Sequence, residues 1–125
     1  MSQSHSTSLV YVVSEPLRWD SVTGQWVKSK NLSPARRFGE LVYLLPPGNE
    51  APDDPAQVIK TLREKLRDFS PSDYLLPVGH PLYIAWATAV ASQVCPFVTL
   101  LHWKPEERAY HAVPADLRTP YFVKT

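Results

Sequence analysis

The sequence predicts one α/β domain: a mixed sheet with a parallel centre, two crossover helices and two β-hairpins. Three observations lead there. Apolar runs at Leu9–Val13, Glu40–Leu45, Tyr74–Val78 and Phe97–Trp103 have the length and the β-branched or aromatic content of strands. Between the last three of these runs lie two helical stretches, and strand–helix–strand units lay their strands parallel. Two other segments set a pair of aromatic residues across a four-residue turn, which is a hairpin pattern.

Composition fits that class. The chain has 125 residues, 44% hydrophobic, enough for one domain with a real core. Residues 1–8 read as a flexible leader and 9–125 as the domain; MSQSHSTS has neither the basic start nor the apolar region of a secretion signal. A net charge of +1 gives no global field to recruit nucleic acid or an anionic membrane. The single Cys95 excludes an internal disulfide and suits a reducing cytoplasm. Charges or prolines interrupt every apolar run before membrane-spanning length. Thirteen prolines against four glycines sit mostly at junctions, which points to stiff, defined connections.

In chain order, LVYVV at Leu9–Val13 reads as a buried strand, ended by Glu15-Pro16. The first hairpin follows. With Ser21-Val22-Thr23-Gly24 as its turn, Asp20 faces Gln25 and Trp19 faces Trp26. Residues Lys28 to Arg37, KSKNLSPARR, carry four bases and no acid, and Ser33-Pro34-Ala35 is suited to cap one helical turn that Gly39 releases. After the strand Glu40–Leu45 and a proline-rich loop, Asp54 is placed to cap a helix with Pro55 at its first position and Gln57 completing a capping box. Val58, Ile59, Leu62, Leu66 and Phe69 form its apolar stripe.

The stretch around which the rest is organised is DYLLPVGHPLYIAWATAVASQV, Asp73 to Val94. It reads as a short strand, a sharp turn at Gly79-His80-Pro81, and a helix apolar on nearly every face. One sheet covers one face of a helix. The other face then needs the first helix, the C-terminal segment or a second chain, so a homodimer is expected. A second hairpin closes the pattern: with Pro105-Glu106-Glu107-Arg108 as its turn, Trp103 faces Tyr110 and His102 faces His111. The segment from Pro114 reads equally as an edge strand or a tail.

FGELVYLLPPG at Phe38–Gly48, DYLLPVGHPLYIAWATAVA at Asp73–Ala91 and LLHWKPEERAYHAV at Leu100–Val113 together resemble small proteins encoded by bacteriophages and prophages. Acidic residues stand in many of those relatives where this chain has His80. The resemblance implies a phage context and the cytoplasm of a bacterial host. It brings no catalytic residue with it.

The candidate chemistry is correspondingly limited. Arg36 and Arg37 beside a capped turn, and Gly48 and Gly79-His80 at strand–helix junctions, are the candidate ligand-binding positions for a phosphate or nucleotide. No glycine-rich fingerprint or P-loop lysine motif supports them, and a lone glycine at such a junction has a sufficient backbone explanation. Trp19, Trp26, Lys28 and Lys30 interleave aromatics with bases, an anion or nucleic-acid patch, although the near-neutral chain disfavours nucleic acid as partner. His102 and His111, with His80, are the weak candidates for a metal; no acidic orienter accompanies them, so no metal or cofactor is expected. Cys95, beside Pro96 at the end of an apolar helix, reads as a buried small hydrophobe, and no nucleophile elbow occurs. The expectation is a non-enzymatic phage-type accessory protein that binds a host or phage protein. The alternative is a small nucleotide- or phosphate-binding protein, able to sequester a signalling nucleotide.

Overall fold

The computed structural model describes residues 7–47 and 54–118. Most of the expected leader and Gly48 lie outside them. Five strands form one sheet in the order β4-β1-β5-β6-β7. β1 (Leu9–Ser14) lies parallel between β4 (Glu40–Leu45) and β5 (Tyr74–Leu76), β5 pairs in parallel with β6 (Phe97–Lys104), and β7 (Ala109–Asp116) closes the edge antiparallel to β6. The parallel centre therefore holds four strands rather than three, with β1 inserted between β4 and β5. The physical reason is burial. From Val10 to Ser14 every residue of β1 is buried, and a strand apolar on both faces is stable only where both faces and both edges are covered.

Helices α1 (Pro55–Lys65) and α2 (Pro81–Val94) pack on one face of the sheet, over Tyr11, Val13, Leu75 and Val98. A short 3-10 helix, Ser33–Arg37, covers the other face over Val10, Val12, Leu76 and Leu101. The connection from β1 to β4 steps across the sheet in one direction, and the two helical crossovers step in the other. Their lying on opposite faces is what a common crossover hand requires.

Local chemistry sets each boundary. Asp54 Oδ1 accepts the Gln57 N–H at 3.4 Å and starts α1; Leu62 in the helix, Leu66 at its C-cap and Phe69 just beyond are all buried, as the expected stripe has them. β5 stops at Leu76, two residues short of the expected Val78, because Pro77 has no N–H to continue the ladder. Gly79 then turns the chain with φ 132°, and a β-carbon there would meet the Ser14 β-carbon at 2.8 Å. His80 starts α2: its Nδ1 accepts the Leu82 N–H at 3.0 Å, a task that an acidic side chain at this position also performs. At the far end of the sheet, the buried Asp73 carboxylate accepts from Leu9 N–H at 2.9 Å and from the Ser70 N–H and hydroxyl at 2.9 and 3.0 Å. It ties the start of β1 to the start of β5.

Two expectations are revised by the packing. The first hairpin, β2 (Leu17–Asp20) with β3 (Gln25–Lys28), is a separate two-stranded sheet and does not extend the main one; β1, which leads into it, already has a strand on each side. Leu32 rather than Ser33 is the N-cap of the 3-10 helix, and the Ser33 N–H is taken by Asn31 Oδ1 at 3.0 Å. In α2, whose neighbour is α1, Tyr83, Ile84 and Trp86 are partly buried against the common core, so the apolar face left in water is reduced chiefly to Leu82, Ala85, Ala89 and Val94. The undecided C-terminal segment resolves as strand: Pro114 sits opposite Thr99 on the edge, where its lack of an N–H costs the ladder nothing.

Candidate functional site

A groove of about 820 Å³ lies on the face that carries the 3-10 helix. Three segments far apart in sequence form it. Lys30, Asn31 and Pro34 supply one wall, Leu76 at the end of β5 with Pro77 and Val78 just after it the floor, and the β6–β7 hairpin the other wall. The floor lies at the carboxyl end of a parallel strand, beside the place where the connections from β1 and β5 leave in opposite directions. That is the position at which open parallel sheets bind ligands.

The hairpin wall is held rigidly. Trp103 and Tyr110 are cross-strand partners with ring centroids 4.9 Å apart, edge to face. Tyr110 is buried, which pushes its phenol above the usual range, and the Arg37 guanidinium donates to its carbonyl at 2.8 Å. Arg37 also lies over the Phe38 ring at 4.3 Å. It thus joins the 3-10 helix to β7. A smaller hollow of about 130 Å³ lies beside the same basic segment, with Lys28, Lys30 and Arg36 on it and Glu15 across from them.

The sequence-predicted residues fall into separate places. Lys30 lines the groove, Lys28 and Arg36 the smaller hollow, and Gly79 and His80 serve the turn into α2. Trp19 and Trp26 face each other on the ribbon, 5.6 Å apart with their rings at 74°, and both are exposed. His102 and His111 are opposite one another, as their spacing predicts, but His111 Nε2 is 2.9 Å from Glu107 Oε1. Among the described residues no group of three His, Cys, Asp or Glu side chains gathers at ligating distance. Cys95 is buried, its thiol donating to the Phe97 carbonyl at 3.3 Å. No helix among the described residues is long and apolar enough to cross a membrane.

Sequence reasoning missed three groove residues. Tyr110 and Trp103 were read only as a hairpin pair, and Arg108 only as a turn residue. A signal for Arg108 was present: the fourth residue of the first hairpin's turn is Gly24, with φ 68°, and Arg108 occupies the equivalent place in the second with φ 51°.

Comparison with known proteins adds one finding. The family model described as Phage Pam3 gp32-like protein matches residues 8–117, which span both hairpins and all seven strands. No curated protein and no solved structure matches the chain.

Proposed function

The chain belongs to the Phage Pam3 gp32-like protein family, and we propose that it acts as a non-enzymatic accessory protein, by binding a phage or host protein through the β2–β3 ribbon. One observation carries the reading. Trp19 and Trp26 are 55% and 46% exposed on a ribbon that belongs to neither layer of the domain. Tryptophan dominates the binding energy of protein interfaces, where its large flat surface is desolvated against a partner. An isolated two-stranded ribbon is marginal in water, so a stacked pair held out on one serves recognition better than it serves the core.

The flanking charges describe the partner. Arg18, Lys28, Lys30 and Arg36 are exposed on or next to the ribbon, while the Asp20 carboxylate accepts the Val22 N–H at 3.0 Å within the turn. An acidic surface with an apolar centre complements that arrangement and gives salt-dependent association. Two side chains with catalytic potential have structural roles instead: His80 caps α2 and Cys95 is buried.

The test is affinity capture from phage-infected and uninfected bacterial lysates with the wild-type chain and the Trp19→Ala/Trp26→Ala variant as paired baits. A protein retained by the wild type and reduced about tenfold or more by the variant supports the reading. Partners retained equally by both baits contradict it.

A further inference from the structure

Beyond the ribbon and independent of it, we propose that the groove between the 3-10 helix and the β6–β7 hairpin is a binding site for a free mononucleotide. Its lining matches the two halves of such a ligand. Leu76, Val78 and Leu101 provide apolar surface, and Trp103 keeps 37% of its surface exposed at the wall. That is a platform for a base, since every base has a face that stacks on an aromatic ring. Lys30 and Arg108 also line the groove, and no carboxylate does. Glu107, the acid next to Arg108, is directed to His111 instead. His102 also borders the groove, but strand alternation assigns its side chain to the opposite face from Leu101 and Trp103, so it carries no part of the proposal.

The backbone at Arg108 points the same way. An L residue adopts φ 51° only at a cost, and the equivalent position in the first hairpin is glycine. The arginine earns its place through its side chain, which lines the groove. β7 ends at Asp116 opposite Phe97, at the start of β6, whereas the groove lies at the end of β6. A volume of about 820 Å³ is within the range of small-molecule sites.

The test titrates the full chain with AMP, GMP, CMP and UMP by calorimetry at low salt. At least one should bind, with its nucleoside and ribose 5-phosphate each about tenfold weaker, because each keeps only half of the recognition. Arg108→Gly, which keeps the turn conformation, should weaken binding about tenfold without lowering the melting temperature, and Lys30→Ala should weaken it as well. The Trp19→Ala/Trp26→Ala variant should bind as the wild type does. The proposal is overturned if no monophosphate binds at millimolar concentration, or if both basic variants bind as tightly as wild type. It is overturned equally if dodecanoate binds more tightly than every nucleotide, or if oligothymidylate binds more tightly than the monophosphates, which would reassign the groove to a fatty acid or a single strand.

Discussion

The two hairpins are nearly the same object put to different uses. Each has an aromatic pair across a four-residue turn, Trp19 with Trp26 and Trp103 with Tyr110, stacked edge to face at 5.6 and 4.9 Å. Each turn ends on a residue with positive φ, Gly24 and Arg108. What differs is what lies beneath. β6 is already a partner of β5, so the second hairpin rests on the core and buries Tyr110. The ribbon has no strand to join and leaves both tryptophans in water. Hairpin geometry is thus set by the turn and the cross-strand pair, whereas its energetic role is set by whether a sheet edge is free to receive it.

The largest effect that sharpens this contrast is expected at Tyr110. Tyr110→Ala removes a buried aromatic ring and should cost about 3–4 kcal/mol in chemical denaturation. A cost below about 1 kcal/mol would mean that the second hairpin is as detached as the first.

Alkaline titration comes next. Burial, with the Asp73 and Asp68 carboxylates adding to it, pushes the Tyr11 phenol up to about 12, and burial raises Tyr110 in the same direction. A phenol whose folded pKa is raised favours the neutral form in the native state. Its contribution is complete below about pH 10 and is lost as pH climbs from there toward 12. Stability should therefore fall by about 2 kcal/mol over that interval, and Tyr11→Phe should remove most of the slope. A flat profile would show that neither phenol is shielded from water. Tryptophan carries no titratable group, so the ribbon's tryptophan variants should leave the curve in place.

The turn residues give the third comparison. Gly24→Ala should destabilise by about 1 kcal/mol, since a β-carbon there meets nothing within 4 Å and only the backbone conformation is penalised. Arg108→Gly should stabilise by about the same amount. If Arg108→Gly destabilises instead, the side chain holds the hairpin, and the argument from its backbone fails.

Much of this was legible in the sequence, for local reasons. Both hairpin registers follow from a four-residue turn between aromatic pairs, and Asp54 and Pro55 announce α1 through capping chemistry alone. The sheet order was not legible. Nothing in LVYVV says that it inserts between β4 and β5, because parallel neighbours are chosen by packing across long separations. The detachment of the ribbon follows from that same unseen order. The groove was hidden for a related reason: Lys30, Leu76 and Arg108 meet only after three crossovers have closed. In the sequence Asp73 stands only as the residue before the expected strand Tyr74–Val78. Its part in fastening Leu9, 64 residues away, could not be inferred from spacing.

The smallest expected stability effect belongs to the ribbon, and it bears most directly on the central claim that the exposed tryptophans exist for recognition. Thermal and denaturant unfolding of the Trp19→Ala/Trp26→Ala variant, measured on the same preparation used for capture, should show a loss of only about 0.2–1 kcal/mol, the worth of one exposed cross-strand pair, together with loss of the captured protein. A loss of 3 kcal/mol or more, approaching that of Tyr110→Ala, would contradict the account and return the ribbon to the core.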